Sequence, residues 1–287
     1  MKKSNIIRHG MLLGFVLMMS SCDLFDSTDQ LPMYINIEDV ELQTQAGQGV
    51  NSHSINAVAA FADGASIGVY IVPGSIPVLT SKDDLEFDIL AVIKNNGIAS
   101  NPIAYPFFKT KNYVYDFQEG TTETINPVFE YSETSKHIIL ADFETNNPFT
   151  INVDNDPEIS FKRTTDAAYG DFAGRIILEG DKLEFAKTHF TKIERTAVFG
   201  GPVYLEMDYR NTVPFIVGIL QETPGGLFVE NYKVELTRQE EWNKVYVELT
   251  EFMADTQFDL FTVLLGSSRS NSDPGTIWID NVKLVHF

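Results

Sequence analysis

The stretch Val203–Tyr209, VYLEMDY, alternates between two kinds of side chain at every position. The apolar set falls on one side of the chain and consists of Val203, Leu205, Met207 and Tyr209. Tyr204, Glu206 and Asp208 fall on the other side. A period of two is typical of a β-strand that buries one face, and two packed sheets of such strands form a sandwich. The segment therefore predicts a β-sandwich.

Segments of the same kind recur along the chain. Runs of about five to eight residues rich in Val, Ile, Phe, Tyr and Thr lie between clusters of Gly, Pro, Asn and Asp, which is the pattern of strands and turns. In the segment KVYVEL, Val245, Val247 and Leu249 again share one face. After the N-terminal leader, no window of about 12 residues has helical periodicity. The sequence therefore predicts an all-β protein.

Length and composition predict two domains. The chain has 287 residues, of which 44% are hydrophobic, and this is sufficient for two cores. The polar segment 131–137, YSETSKH, interrupts the strand pattern near the middle of the chain, so we place the domain boundary there. We expect one β-sandwich over residues 33–133 and a second over residues 137–287.

The N-terminus has the features of a secretory signal. Three basic residues stand at its start, residues 11–19 form a short apolar run, and two serines precede Cys22. The run is shorter than the ~20 residues that a transmembrane helix needs. Cys22 is the only cysteine of the chain, so an intrachain disulfide is impossible. We expect residues 1–21 to be a cleaved signal peptide.

The small residues directly before Cys22 make this region similar to the lipobox of bacterial lipoproteins, although Met19 stands where that pattern has leucine. The resemblance implies cleavage before Cys22 and attachment of acyl chains, such as palmitate, to its thiol and amine. Several acyl chains hold a protein on a membrane stably, whereas a single chain binds only marginally. The alternative, a free cysteine buried in a core helix, leaves the basic start of the chain unexplained.

An acidic tether over residues 22–32 follows the leader and contains Asp23, Asp26 and Asp29. In enterobacterial lipoproteins, an aspartate next to the cysteine implies retention at the inner membrane. In lipoproteins of Bacteroidota, acidic residues at this place resemble a signal for export to the cell surface. The remainder of the chain resembles the second group. This resemblance implies a lipid-anchored protein of the outer membrane that faces the outside of the cell.

The charge balance limits the partners that the chain can bind. Its formal net charge is −19, and loss of the three basic leader residues makes the mature chain still more negative. Such a chain repels nucleic acid and anionic lipid headgroups. We therefore expect neutral, cationic or metal-bridged partners, and membrane attachment through the lipid anchor.

In the first domain, the dipeptide Asp63-Gly64 between two β-rich runs predicts a hairpin turn. This hairpin and the proline that follows it resemble the surface-lipoprotein modules of Bacteroidota, which are similar to PEGA or immunoglobulin-like domains. The segment 64–68, GASIG, also matches the G-x-S-x-G nucleophile elbow of serine hydrolases. That elbow needs a helix after the serine, whereas a strand-like segment and Pro73 follow Ser66. We therefore expect Ser66 to lie in a hairpin and to have no catalytic role.

The second domain opens with Asp142–Glu144, DFE, and closes with Trp278–Leu284, in the pattern W-x-D-N-V-x-L. These segments resemble the jelly-roll fold of carbohydrate-binding modules and galactose-binding-like domains. The resemblance covers about half of the chain and implies a jelly roll with a possible sugar site. It implies no catalytic residue.

A glycosidase is an alternative hypothesis for the same domain. The tripeptide Glu206-Met207-Asp208 resembles the E-x-D-x-x-E signature of jelly-roll glucanases, in which two glutamates act as nucleophile and acid/base. Asn211 stands at the position of the second glutamate, so the required carboxylate pair is incomplete. We expect a non-enzymatic protein in which Glu206 and Asp208 are solvated on the outer face of a strand.

A sugar site would use exposed aromatic rings as stacking platforms. The candidate rings are Tyr169, Phe172, Tyr209, Phe228, Tyr232, Trp242 and Tyr246. Aromatic side chains are mostly buried in cores, so the sequence alone leaves the ligand site unassigned. Two functions remain open: glycan binding by the jelly roll with the first domain as a spacer, and a structural or interaction subunit of an outer-membrane transport, assembly or export complex. Exposed rings in a concave groove would favour glycan, and a flat apolar patch would favour protein.

A change of phase in the last strand predicts a metal site. Ile277 and Ile279 share one face, but Val282 and Leu284 continue that face at even numbers, which predicts a β-bulge at Asp280-Asn281. We expect the first strand to include residues 140–144, LADFE, with Phe143 buried and Asp142 and Glu144 together on the opposite face. In the resembling jelly rolls the first and last strands are neighbours and a structural calcium recurs here. We therefore hypothesise that Glu144 and Asp280, and less directly Asp142, bind a structural Ca²⁺. The alternative is that these carboxylates are solvated or cap backbone amides.

Overall fold

The structure is a computed structural model that describes residues 30–153, 161–179, 184–268 and 274–287. The predicted signal peptide, Cys22 and most of the acidic tether lie outside these residues. Strands dominate the described chain, which confirms the all-β class. Its two helices have four residues each, α1 Arg195–Val198 and α2 Thr250–Met253. None of the described helices is long and apolar enough to cross a membrane.

The N-terminal domain contains ten strands: β1 Met33–Ile37, β2 Glu41–Gln43, β3 Ala57–Ala62, β4 Ala65–Ile71, β5 Gly74–Val78, β6 Asp84–Lys94, β7 Pro102–Ala104, β8 Lys111–Asp116, β9 Thr122–Ile125 and β10 Val128–Glu130. One sheet has the order β4-β3-β6, with β7 and β8 both paired to β6. The sheets β5-β1-β9 and β10-β2 oppose it. Alternate apolar residues of these strands, such as Ile35, Phe87 and Phe129, are fully buried in one core.

The predicted hairpin in this domain is confirmed. Strands β3 and β4 are antiparallel and joined by Asp63-Gly64 alone. Both residues have positive φ, 51° and 81°, which is the conformation that a tight two-residue hairpin turn requires. Ser66 lies on exposed strand β4. It therefore lacks the strand-to-helix turn of a nucleophile elbow.

The C-terminal domain contains twelve strands: β11 Lys136–Ala141, β12 Ile151–Asn152, β13 Phe161–Thr164, β14 Ala173–Leu178, β15 Glu184–Thr188, β16 Ile193–Glu194, β17 Val203–Asn211, β18 Phe215–Glu222, β19 Phe228–Leu236, β20 Gln239–Glu248, β21 Leu260–Ser268 and β22 Gly275–His286. They form two six-stranded sheets packed face to face, as the sequence predicts. Strands β13-β14-β22-β17-β20, with β11 beside β22, form the sheet that we call the covered sheet. Strands β12-β15-β21-β18-β19, with β16 beside β21, form the open sheet.

The core of the C-terminal domain lies between these sheets. Val203, Leu205, Met207 and Tyr209 of β17 all point into it, which confirms the face assigned from their alternation. Strand β21 contributes its odd-numbered apolar residues from the opposite sheet. Burial of this apolar surface is the main stabilisation of the sandwich.

The predicted β-bulge in the last strand is confirmed. Along β17 and β22 the pairing shifts between Glu206–Lys283 and Asp208–Asp280, so β22 carries one extra residue. Asn281 adopts φ 50° at this point, and a left-handed residue is a common feature of such a bulge. Both Asp280 and Val282 are thereby buried.

The first strand of the domain is shorter than expected. Strands β11 and β22 are neighbours, as the resemblance implies, but β11 ends at Ala141 and excludes Asp142, Phe143 and Glu144. Phe143 is buried with φ 57°, a backbone conformation that a regular strand does not contain. The expectation of a strand through Glu144 is therefore wrong.

The N-terminal domain packs against the outer face of the covered sheet. Tyr204, Tyr246 and Val285 belong to strands of the C-terminal domain but are buried in the N-terminal core. The backbone amide of Asn96 donates to the carbonyl of Tyr246 at 2.9 Å across this interface. The two outer faces of the jelly roll therefore have different surroundings.

Candidate functional site

A groove of about 400 Å³ lies on the outer face of the open sheet. It is lined by Ile151, Asn152, Val153, Thr188, His189, Lys192, Leu220, Glu222, Phe228, Phe261 and Thr262. These residues come from five of the six strands of that sheet and from the segments that follow β12 and β15. A concave, mainly apolar site with a few polar groups is the usual form of a ligand pocket.

The floor of the groove is apolar because β18 and β21 carry apolar residues on both faces. Phe261, Val263 and Leu265 point into the core, so the residues between them point outward. Leu264 faces outward, where it is fully buried and directly opposite Thr188. Leu220 of β18 also lies on this face. A strand that is apolar on both sides is typical of a sheet buried on both faces, and this signal is present in the sequence.

One polar group of the floor has no partner. The side chain of Thr188 is fully buried, and its hydroxyl has no hydrogen-bond partner among the described residues. The neighbouring hydroxyl of Thr262 donates to the backbone carbonyl of His189 at 2.7 Å. A buried hydroxyl without a partner costs about 1–3 kcal/mol, so Thr188 destabilises the fold unless a further group reaches its hydroxyl.

Two candidate rings from the sequence stand along β19 at the edge of the open sheet. Phe228 is 57% exposed and Tyr232 is 41% exposed. Both share the outer face of β19, and four residues of strand separate them by about 13 Å. The hydroxyl end of the Tyr232 ring lies close to Gly266, since a Cβ added there would be 3.2 Å from Cε1 and from the hydroxyl oxygen of Tyr232. Glycine at this position therefore lets the ring approach the sheet.

Charged groups surround the Phe228 ring. The ammonium of Lys192 lies 5.7 Å from the ring centroid and forms an ion pair with Glu222 in the groove. The Tyr232 hydroxyl donates to the carboxylate of Glu230 at 2.6 Å. The rim thus combines two exposed ring faces with donors and acceptors. The sequence singled out both rings, whereas it gave no sign that Thr188, Lys192 and Glu222 would stand beside them.

The other candidate rings lie elsewhere. Tyr209 and Tyr246 are buried. Phe172 stacks under the guanidinium of Arg163, 3.8 Å from its centroid. Tyr169 is 41% exposed but lines a cleft between the two domains instead of the groove. Trp242 lies on the covered sheet.

The expectation that Glu206 and Asp208 are solvated is wrong. Glu206 is 0% exposed and Asp208 is 3% exposed, because the N-terminal domain covers this face of β17. Glu206 lies 3.5 Å from Lys244 and 3.4 Å from Lys283, measured between the charged atoms. The hydroxyl of Tyr105, in the N-terminal domain, donates to Glu206 at 2.7 Å.

A second tyrosine of the N-terminal domain also contacts Glu206. The Tyr131 hydroxyl lies 2.9 Å from both carboxylate oxygens. Burial raises the pKa of Glu206, but Lys283, Lys244 and the two tyrosine hydroxyls outweigh it, so the pKa lies below its usual value. Asp208 accepts a hydrogen bond from the Ser52 hydroxyl at 2.7 Å. We call Glu206, Asp208 and the side chains that contact them the interface network. It is buried between the two domains, where a sugar chain has no access.

The carboxylates of the three predicted calcium ligands accept hydrogen bonds from backbone amides. Asp280 accepts hydrogen bonds from the amides of Ala168 and Tyr169 at 3.1 and 3.3 Å. Glu144 accepts hydrogen bonds from the amides of residues 171 and 172 at 3.0 and 3.2 Å. Asp142 accepts one from the amide of Glu144 at 3.1 Å. These carboxylates therefore cap backbone amides, which is the alternative to metal binding.

Within the described ranges, no group of three or more His, Cys, Asp or Glu side chains is placed to hold a metal ion. Burial raises the pKa of Asp280 to about 7, although the three backbone amides that it accepts from lower it. A bound cation would favour the charged form of this carboxylate. Calcium binding by Glu144, Asp280 and Asp142 stays a prediction, tested by comparing melting temperatures in EDTA and in calcium.

Comparisons with known proteins give only distant similarities. No family model matches the chain, and no curated protein matches it. The family 30 carbohydrate-binding module of a Clostridium thermocellum cellulosomal cellulase has a TM-score of 0.42 and 14% identity, over 52% of this chain and 96% of its own. The family 11 module of another cellulase of that organism has a TM-score of 0.39 and 10% identity, over 52% and 93%.

A third similar structure is a carbohydrate-binding module from the β-sandwich superfamily with promiscuous specificity. It has a TM-score of 0.40 and 12% identity, over 88% of this chain and 97% of its own. All three TM-scores and identities are low. Function therefore has to be inferred from the side chains of this chain.

Proposed function

We propose that this chain is a lipid-anchored, extracytoplasmic and non-catalytic binding protein whose groove on the open sheet binds a carbohydrate chain. The observation that carries the proposal is the pair of exposed rings, Phe228 and Tyr232, beside a groove whose buried Thr188 hydroxyl lacks a described partner. Exposed rings in a concave groove favour a glycan as the ligand, whereas a flat apolar patch would favour a protein.

The chemistry of the groove fits a sugar chain. A pyranose ring has an apolar C–H face that packs on an aromatic ring, and hydroxyls at its edge that need donors and acceptors. Phe228 and Tyr232 supply the ring faces. Lys192 supplies a donor, Glu222 an acceptor, and Thr188 both. The spacing of about 13 Å between the rings fits an extended chain better than a single sugar unit.

Binding without catalysis is supported by the location of the candidate carboxylates. Glu206 and Asp208, which gave the resemblance to glucanases, are buried under the N-terminal domain. Both amino groups near Glu206 and both tyrosine hydroxyls hold it in its charged form. A general acid for glycoside hydrolysis needs the opposite, a raised pKa and access to the sugar.

The test of sugar binding uses affinity gel electrophoresis with a panel of soluble polysaccharides, followed by a glycan array. We expect Phe228→Ala and Tyr232→Ala each to weaken binding at least tenfold, which is about 1.4 kcal/mol. Phe199→Ala is the matched control, because Phe199 is 60% exposed but lies outside the groove. Equal binding by all three variants, or no binding by the unmutated chain, would contradict the proposal.

The test of anchoring is independent of the groove. Cys22→Ser removes the proposed acyl attachment point, so we expect the full chain to move from the membrane fraction to the soluble fraction. The measurement is fractionation with a carbonate wash, with Ser66→Ala as the control that stays in the membrane. Retention of the Cys22 variant in the washed pellet would contradict the lipid anchor.

A protein partner is the second candidate function. Leu227 is 70% exposed and Val229 is 45% exposed at the start of β19, next to Phe228. Strand β19 is the last strand in the order of the open sheet, and its pairing within the described chain is with β18. Edge strands are places where a partner can add a strand. Leu227→Lys should then abolish co-purification of an outer-membrane protein from membranes while leaving polysaccharide binding intact.

A further inference from the structure

A row of cationic and aromatic side chains crosses the outer face of the covered sheet. Lys162 of β13 is directly opposite Arg175 of β14. Arg175 is opposite Trp278 of β22, and Trp278 is opposite Arg210 of β17. Directly opposed residues share a face of the sheet, so these four side chains form one continuous row. Adjacent strands are about 4.8 Å apart, which makes the row about 14 Å long.

The row lies beyond the part of the sheet that the N-terminal domain covers. Along β17 the interface with that domain includes Tyr204, Glu206 and Asp208, and Arg210 is the next residue on the same face. Lys162 is exposed, and Arg175 and Trp278 are half-buried. The row is therefore accessible, although the N-terminal domain covers the other end of the same sheet.

The charges of the row are incompletely balanced. Arg210 forms an ion pair with Asp166. For Lys162 and Arg175, the described residues supply no acidic partner within ion-pair distance, although the chain carries a net charge of −19. Like charges directly opposite each other on a sheet are destabilising. An anion bound between Lys162 and Arg175 would remove this repulsion.

An aromatic surface adjoins these cations. The guanidinium of Arg210 lies 4.2 Å from the ring centroid of Trp278 and 5.6 Å from that of Trp242. These are the two tryptophans of the chain. Stacking fixes the guanidinium plane, and a fixed guanidinium binds planar oxyanions through paired hydrogen bonds.

We propose that Lys162, Arg175, Trp278 and Arg210 form a second binding site, which takes an acidic saccharide bearing carboxylate or sulfate groups. The cations bind the anionic groups and the Trp278 indole packs against a sugar ring. The length of the row suits an extended chain instead of a single small anion. This site is on the opposite face of the sandwich from the groove and does not rest on the proposed function of the groove.

The overall negative charge is compatible with such a ligand. At physiological ionic strength the Debye length is about 8 Å, so acidic groups farther away are largely screened. The local cations then dominate within the row. Binding through exposed charges weakens as salt increases, and this gives the site a signature that pure ring stacking lacks.

The experiment is calorimetric titration of the full chain at 0.15 M NaCl. The probes are oligogalacturonate, the same oligosaccharide fully methyl-esterified, and dextran sulfate, which carries sulfate groups and no carboxylate. The first and third separate carboxylate from sulfate recognition, and the second removes the charge alone. We expect binding to at least one acidic probe, no binding to the ester, and a loss of affinity at 0.5 M NaCl.

Variants locate the binding to the row. Arg175→Ala should weaken binding at least tenfold, and Arg175→Lys, which keeps the charge but not the planar fork, should restore part of it. Phe228→Ala, in the groove, should bind the acidic probe as the unmutated chain does. Lys136→Ala is the matched control, because Lys136 is an exposed cation opposite His286. Eight residues of β22 separate His286 from Trp278, about 26 Å.

Three results would overturn the proposal. The first is no binding of any acidic probe by the unmutated chain. The second is equal affinity of Arg175→Ala and the unmutated chain when their melting temperatures agree. The third is equal binding of poly-glutamate, which would assign the row to acidic peptides instead of saccharides. Loss of groove binding in Phe228→Ala with intact binding at the row would show that the two sites are separate.

Discussion

The two outer faces of the jelly roll differ in polarity and in burial, and the face with the charged side chains is the buried one. The covered sheet presents Glu206, Asp208, Lys244 and Lys283 on its outer face, and all four are buried. The open sheet presents an apolar floor, and a groove of about 400 Å³ runs over it. Charged side chains are thus hidden on one face, whereas the apolar side chains of Ile151 and Phe228 are exposed beside the groove on the other. The polarity of a strand's outer face therefore does not reveal what covers that face.

The buried charges of the covered face are balanced within the domain interface. Removing ions from water costs several kcal/mol each, and this is offset only when partners and hydrogen bonds satisfy them. Both tyrosines that bond Glu206, and the Ser52 hydroxyl that bonds Asp208, come from the N-terminal domain. The N-terminal domain therefore completes the C-terminal domain and is more than a spacer.

The largest loss of stability at the covered face is expected from Glu206→Ala. The change leaves Lys244 and Lys283 buried beside each other without their shared carboxylate. Breaking a buried ion pair by removing one partner costs about 3–5 kcal/mol. We expect the free energy of unfolding of the full chain to fall by this amount, measured by urea denaturation.

Two variants control this measurement. Glu206→Gln keeps the shape and some hydrogen bonds, so its loss should be smaller than that of the alanine variant. Glu241→Ala removes an exposed carboxylate of neighbouring strand β20, and surface charges contribute at most about 1 kcal/mol. If Glu206→Ala were as stable as Glu241→Ala, the network would not stabilise the interface.

Much of the fold could be predicted from local sequence. Asp63-Gly64 specifies a hairpin because both residues tolerate positive φ, and the structure has that turn. The phase slip between Ile279 and Val282 specifies a bulge because side chains alternate along a strand, and the pairing of β22 shifts there. These signals need only a few adjacent residues and no knowledge of distant ones.

The sites could be predicted only in part, because they depend on which surfaces meet. Alternation places Glu206 on the outer face of β17. It gives no sign of the N-terminal domain that buries this side chain, in which Tyr131 is 75 residues away from Glu206 in sequence. Phe228 and Tyr232 were candidate rings, yet nothing in their own segment distinguished them from Tyr246, which is buried. Burial on both sides of a sheet is a property of the assembled chain.

An intermediate effect is expected from pH at the edge of the covered face. His137 packs edge-on against Tyr131, with ring centroids 4.5 Å apart. Its pKa is lowered from 6.5 to about 4, mainly by burial and also by Lys283, while Glu206 opposes the shift. Between these two pH values the unfolded chain binds a proton to this histidine more readily than the folded chain does. The contribution of His137 to stability is therefore fully present above about pH 6.5 and is lost as the pH falls toward 4.

The variant His137→Gln removes this titration. The decrease in unfolding free energy from pH 7 to pH 4.5 should be about 1–2 kcal/mol smaller in the variant, after allowance for solvent at a half-buried ring. His53, His189 and His286 also have pKa values lowered by burial. They titrate in both proteins and cancel in the difference. Parallel pH profiles for the two proteins would contradict the assignment to His137.

The smallest effect on stability, and the sharpest contrast with the covered face, is expected from Thr188→Val. Every charged group of the interface network has a protein partner, whereas the buried Thr188 hydroxyl has none among the described residues. Its replacement by an isosteric methyl should leave the unfolding free energy unchanged or raise it by about 1 kcal/mol. If the hydroxyl bonds a sugar, the same change should weaken polysaccharide binding up to about tenfold.

Thr262→Val is the matched control on the same floor, since the Thr262 hydroxyl donates to the carbonyl of His189. Removing it leaves a buried carbonyl without that donor, so stability should fall by about 1 kcal/mol while sugar binding changes little. Denaturation and affinity electrophoresis on both variants separate the two roles. A loss of stability in Thr188→Val equal to that in Thr262→Val, with unchanged binding, would show that Thr188 is structural and that the groove lacks a polar contact at its floor.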